Sequence, residues 1–167
     1  ELMLLWSGLG YYRRIKNIYL TAQIISKKYD NKFPKDYEAI LSLPGIGRTT
    51  ASAISTFSGY SHRAILDGNV KRILRRYFNI FSENNSKTEK ILWEKSIFVT
   101  PLKKTSQFIQ AMMDIGSLVC TRSKPNCSIC PLRELNCLYT EDVQKISKNK
   151  KNIKKINMHL LTLINSL

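Results

Sequence analysis

Outside residues 120–137 the sequence has no cysteine at all. Four cysteines crowded into so short a window do not look like a scattered disulfide framework. With no export signal ahead of them, they read as a metal site in a reducing compartment. Long apolar runs are missing too. None approaches the ~18 residues of a bilayer span, so a helical membrane protein is excluded as a reading. Acidic residues are scarce, 12 against 27 Lys and Arg, and the net charge is +15. There is no internal repeat. Yet 43% of the 167 residues are hydrophobic, enough for a real core in one or two small domains rather than a disordered polymer. The chain opens at Glu1 in the middle of an apolar pattern, and is expected to be a fragment lacking its natural N-terminus.

The distribution of charge says more than its size. Residues 1–144 hold 21 Lys and Arg and all 12 acidic residues, a balance of +9, and a lysine run from Lys145 to Lys155 supplies the other +6. A basic folded core suits a polyanion such as nucleic acid. A solvated surface in a lysine-biased sequence would look the same, and the tail reads as a linker.

The apolar spacing is helical almost throughout. Ile15, Ile18, Tyr19, Ala22, Ile25 and Tyr29 lie on one helix face, and Phe33-Pro34 breaks the pattern. Tyr37, Ile40 and Leu41 begin a short helix that the Pro44-Gly45-Ile46-Gly47 turn ends. Ala51, Ala53, Ile54 and Phe57 mark a helix stopping near Gly59. Residues 69–78 form another, with Val70, Ile73, Leu74 and Tyr77 inward. Ser86 to Glu89 fits a capping box ahead of Ile91, Leu92 and Trp93. Phe108, Ala111, Met112, Ile115 and Val119 form a last long helix leading into the cysteines. Residues 143–156 are polar and lysine-rich, a linker. Residues 157–167 contain a β-prone run, expected to open a second, truncated domain.

Four segments carry possible chemistry. The cysteines follow C-x6-C-x2-C-x6-C: Cys120, Cys127, Cys130 and Cys137. Four thiolates hold either zinc or an iron–sulfur cluster. Zinc sites tend to pair two C-x2-C knuckles, and here only Cys127 and Cys130 form one. The compact wrap suits a cubane, with zinc as the rival. Arg122, Lys124 and Arg133 add cations within the loop.

Leu43-Pro44-Gly45-Ile46-Gly47-Arg48-Thr49-Thr50 lies between two helices. Its glycines allow a tight turn, and the N–H groups opening the next helix make an anion site, with Arg48 adding a cation. An ordinary helix–helix turn is the alternative. In Ile65-Leu66-Asp67-Gly68-Asn69-Val70-Lys71-Arg72, Asp67 precedes an amphipathic helix, where Asp is a favoured cap. A carboxylate fixed there could equally stabilise a positive sugar intermediate, oriented by Asn69. Finally, Trp6 to Arg14 combines glycines, Leu9, Tyr11, Tyr12 and two arginines. That mixture suits a wedge pushed into a base stack, or aromatics in a core near a helix end.

Taken in order, GLGYYRR, LPGIGRTTA, ILDGNVKR and QAMMDIGSLVCTRSKPNCSICPL resemble the helix-hairpin-helix DNA glycosylases, and more narrowly the adenine DNA glycosylases of the MutY type. The resemblance runs in register over about residues 1–140. It implies an all-α, two-lobed core over residues 1–142 with a [4Fe–4S] cluster on the four cysteines. It also implies double-stranded DNA with A:8-oxoguanine or A:G mispairs as partner, a monomer, and a bacterial-type cytoplasmic protein acting at the nucleoid. The target adenine would be flipped into a pocket and its glycosidic bond hydrolysed. Asp67 would stabilise the oxocarbenium ion with Asn69 in support. Gly45, Gly47, Arg48 and Thr49 would grip the backbone, and Leu9 and Tyr11 would probe the 8-oxoguanine side.

Thr49 separates close relatives. The bifunctional endonuclease III branch carries a lysine there that attacks the sugar as an imine-forming nucleophile, and a hydroxyl cannot do so. A monofunctional enzyme is therefore expected, with an endonuclease III-type pyrimidine glycosylase or a non-catalytic iron–sulfur DNA-binding module as the alternatives. The family's catalytic glutamic acid lies upstream of the GLGYY segment, and neither Glu38 nor Glu94 sits in its motif. This polypeptide alone is thus expected to be inactive. The last cysteine interval is six residues where the MutY-type pattern has five. Residues 157–167 match at most the first strand of the family's 8-oxoguanine-recognition domain.

Overall fold

The computed structural model describes residues 2–80 and 85–139. The linker at 143–156 and the terminal segment at 157–167 lie outside them. The described residues form helices and turns, in two compact units divided between Ser61 and His62.

The first unit holds α1 (Leu2–Leu5), α2 (Tyr12–Lys28), α3 (Tyr37–Leu41) and α4 (Arg48–Phe57). The α2 helix ends with Lys27 and Lys28 in its last turn, where cations favour the negative end of the helix dipole. Asp30 and Asn31 then both take positive φ, 48° and 61°, which turns the chain back. Asp and Asn pay less than other residues for this conformation. Asp36 starts α3, its Oδ2 accepting the Ala39 N–H at 2.8 Å. The α3 and α4 helices pack together through the 42–47 turn, and Ile40, Leu43 and Ala51 are buried there.

The α2 helix departs from the expected face. Ile15 is buried, but Ile18 and Tyr19 are 50% and 53% exposed. The covered side is rotated toward Asn17 and Thr21. Thr21 donates to the Pro44 carbonyl at 3.3 Å, and Asn17 lies against Gly45. The physical reason is local. A hairpin turn presents backbone polar groups, so the helix meets it with polar side chains rather than with its apolar stripe.

The second unit is built on α5 (Gly68–Tyr77), which packs against α6 (Asn85–Val99), α7 (Thr105–Asp114) and a π-helical turn at Ile115–Val119. Val70, Ile73, Leu74 and Tyr77 face inward as the spacing predicts, joined by Leu66, Leu92, Val99, Met112 and Leu132. Each such aliphatic side chain stabilises the unit by roughly 2 kcal/mol when taken out of water. Two expectations shift. Ser86 stands inside the first turn of α6, which begins at Asn85, so it is not the residue preceding the helix. The last helix stops being α at Asp114. Ile115–Val119 widen to π geometry, and the Cys120 N–H closes the turn on the Ile115 carbonyl at 2.6 Å. Apolar spacing does not reveal that one extra residue.

Candidate functional site

In the first unit, Gly8, Gly10 and Tyr11 all take positive φ, so the chain folds into a tight turn before α2. Trp6 secures it, its Nε1 donating to the Gly10 carbonyl at 2.8 Å. Leu9 and Tyr11 are left 65% and 76% exposed, so neither belongs to a core. The Arg14 guanidinium lies 4.8 Å from the centre of the Tyr11 ring. One turn thus presents an exposed leucine and a cation-backed tyrosine to solvent.

The Gly45–Gly47 turn has its own logic. Gly45 has φ 77°, and a β-carbon there would stand 2.3 Å from Asn17 Nδ2. Only glycine allows both the left-handed backbone and that approach. Gly47 is the N-cap of α4 and has no side chain with which to cap it. Arg48 is the first residue of α4, and helix starts in general are where anions bind. Gly45, Gly47 and Arg48 are exposed and Thr49 is half-buried.

In the second unit, Asp67 caps α5, its Oδ1 accepting the Val70 N–H at 2.7 Å. The cap occupies one carboxylate oxygen. Among the described residues, Oδ2 accepts no hydrogen bond, and Asp67 is only half-buried. Asn69 is one residue further into α5 than Gly68. Its Oδ1 accepts from Arg72 Nη2 at 2.8 Å, and no hydrogen bond joins it to Asp67. Gly116 packs directly on it: a β-carbon at Gly116 would lie 2.6 Å from Asn69 Cβ.

Two arginines that the sequence reading passed over tie α5 to the cysteine loop. Arg72 Nε donates to the Cys120 carbonyl at 2.8 Å, and its Nη2 to the Gly116 carbonyl. Arg76 is buried. Its Nη1 reaches the Thr121 carbonyl at 2.7 Å and Cys120 Sγ at 3.2 Å, and its Nη2 the Arg122 carbonyl at 3.0 Å. The available signal was spacing. Two arginines four apart share one face of a helix whose other inward positions are apolar.

The four cysteines are free of disulfides and half-buried. All four line one pocket together with Ile73, Arg76 and Tyr139. Cys127 opens a single 3-10 turn, Cys127–Ile129, and Cys130 closes it as the C-cap. Asn136, at φ 61°, reverses the chain before Cys137, whose N–H donates to the Leu132 carbonyl at 3.2 Å. Tyr77 braces the loop from beneath, donating to the Leu135 carbonyl at 2.6 Å. Burial, then the neighbouring Cys137, pushes the Tyr77 phenol up, which keeps it a donor. Among the described residues no three side chains close to single-ion geometry.

Two of the four thiols are held in the protonated form by their surroundings. Burial pushes the Cys127 thiol up, and the neighbouring Cys130 and Cys120 push it further, against the pull of Arg76 and Arg133. Burial raises Cys137 as well, opposed by the Tyr139 backbone N–H that faces its sulfur. A soft cation bound among the four sulfurs would offset that cost at Cys127 and Cys137.

Short helices joined by a glycine hairpin, followed by a four-cysteine loop, define a member of the helix-hairpin-helix class. The chain belongs to the HhH-GPD superfamily of base excision DNA repair proteins, whose family model matches residues 1–96. A second model, the iron-sulfur binding domain of endonuclease III, matches residues 120–135. The chain is 47% identical over 152 residues to an adenine DNA glycosylase of Buchnera aphidicola subsp. Baizongia pistaciae, covering 89% of this chain and 43% of that protein. It is 49% identical over 156 residues to an adenine DNA glycosylase of Buchnera aphidicola subsp. Acyrthosiphon pisum, covering 93% of this chain and 44% of that protein. It therefore spans under half the length of these relatives. The solved structure of a thermostable thymine-DNA glycosylase matches with a TM-score of 0.69 at 30% identity, covering 77% of this chain and 59% of that one. Among the described residues no helix is long and apolar enough to cross a membrane.

Proposed function

We propose that this chain carries the core of a monofunctional adenine DNA glycosylase of base excision repair, acting on adenine opposite 8-oxoguanine or guanine in double-stranded DNA. The observation that carries this is its 47% and 49% identity to adenine DNA glycosylases over about nine tenths of the chain. The site chemistry supports it. Asp67 spends one oxygen on the α5 cap, and its other oxygen remains available for charge that develops on the sugar as the glycosidic bond breaks. Asn69 supports it by fixing the first turn of α5 through Arg72. No carboxylate of this chain is assigned the protonation of the departing adenine. Gly45, Gly47, Arg48 and Thr49 hold backbone phosphates, and Leu9 and Tyr11 probe the base opposite. Residues 1–142 form the glycosylase core. The enzyme works as a monomer at the bacterial nucleoid.

Cys120, Cys127, Cys130 and Cys137 hold a [4Fe–4S] cluster. The match to an iron-sulfur binding domain and the shared pocket support a cluster over zinc. When bound, the cluster fixes the loop that Arg72 and Arg76 fasten to α5.

The test is adenine release by the intact protein from A:8-oxoguanine and A:G duplexes. Free adenine should appear, with strand breakage only after alkali. Turnover of oxidised pyrimidines with none of adenine would replace this reading with an endonuclease III-type enzyme. DNA binding with no base released from either kind of substrate would leave a DNA-binding module, and unchanged turnover by Asp67→Asn would confine that residue to capping α5.

A further inference from the structure

The two outer cysteines are seventeen positions apart, and both line the pocket beside the buried Arg76. Arg76 donates to Cys120 Sγ at 3.2 Å, and its guanidinium carbon lies 4.6 Å from the centre of the Tyr139 ring. Tyr139, two residues past Cys137, turns its backbone N–H toward the Cys137 sulfur. A chain of contacts thus runs from Cys120 through Arg76 and Tyr139 to Cys137. The match to the iron-sulfur binding domain ends at residue 135, before either Cys137 or Tyr139. The six-residue interval before Cys137 brings that cysteine one residue late. Asn136, in the left-handed region, turns the chain back toward the pocket, but a turn alone does not hold a sulfur in place.

We propose that the Arg76–Tyr139 stack is the latch that seats Cys137 as fourth ligand of the metal group. Arg76 and Tyr139 act as positioning residues, and the inference rests on the cluster assignment above. Arg76 suits the role because its planar cation can stack on a ring and donate along its edge at the same time. Lysine cannot do both. Arg76 is 5% exposed and anchored by the Thr121 and Arg122 carbonyls, so the ring docks on a fixed surface. A partly desolvated stack of this kind stabilises the closed loop, and its loss should open the fourth ligand position more often.

The experiment measures metal release from the intact protein into a chelator, followed by visible absorbance, after iron and zinc have been quantified. Tyr139→Leu removes the ring and keeps the backbone N–H. It should release iron about fivefold faster than the parent, the size expected from losing one such stack. Tyr139→Phe keeps a ring and should match the parent. Arg76→Lys should release iron faster, and combining it with Tyr139→Leu should add little. Unchanged release by Tyr139→Leu, or fully multiplicative effects in the double variant, would overturn the latch. If Arg76→Lys fails to fold, the Leu and Phe variants at 139 still decide. A parent holding zinc instead of iron would overturn the cluster assignment alone, and the same variants would then be read on zinc release.

Discussion

Asn17 on α2 lies so close to Gly45 that a β-carbon on the glycine would stand 2.3 Å from Asn17 Nδ2. The hairpin is therefore shaped by a polar residue on a neighbouring helix as well as by its own glycines. Gly45→Ala meets two penalties, a left-handed backbone at φ 77° and a steric clash. The variant should lose about 2–4 kcal/mol of stability. Asn17→Ala in the same background should recover only part of the steric term, because Asn17 Cβ would still lie 2.9 Å from the new carbon. Gly47→Ala, with ordinary φ and nothing within 4 Å of the added carbon, should cost under about 1 kcal/mol. Thermal melts of the four proteins check the ordering.

Asp67 has two separable duties. Asp67→Asn keeps an oxygen for the Val70 N–H, so stability should barely change, while adenine excision should fall by about a hundredfold or more. Asp67→Ala loses the cap as well and should cost a further ~1 kcal/mol in a melt. Normal excision by Asp67→Asn, under single-turnover conditions, would confine the residue to capping.

Thr49 follows Arg48 in the first turn of α4. Its hydroxyl cannot form an imine with an opened sugar. Borohydride should therefore trap no covalent complex between the intact protein and abasic DNA. Efficient trapping, seen as a shifted band on a denaturing gel, would mean that another amine does lyase chemistry.

Arg72 donates to the Cys120 carbonyl, the Gly116 carbonyl and Asn69 Oδ1. Arg72→Met keeps the stem and removes all three donors. Leaving buried or half-buried acceptors unpaired should cost about 2–4 kcal/mol. Adenine excision should fall with it, because Asn69 loses its anchor. Gly116→Ala, whose new carbon would lie 2.6 Å from Asn69 Cβ, should cost about 1–3 kcal/mol through overpacking. Denaturant melts and excision rates measured on the same samples check both.

Much of this molecule was legible in the chain. Apolar spacing predicts α5 and its inward face because burial of Val70, Ile73, Leu74 and Tyr77 is a property of the helix period itself. The cysteine window, the Gly45–Gly47 turn and the Asp67 cap are local patterns whose chemistry lies within a few residues. The family resemblance carried by the same strings reaches the superfamily that the matched model also gives. What the sequence could not determine depends on partners distant along the chain. Asn17 and Gly45 are neighbours through a packed turn, so the covered side of α2 differs from its apolar stripe. Arg72 and Arg76 look like surface charges on a basic helix. Only the tertiary structure turns them under the cysteine loop, where carbonyls freed by a π-helical turn and a sulfur need donors more than the arginines need water. The spacing says that four cysteines bind something; the fold decides that Arg76 and Tyr139 stand beside the first and the last of them.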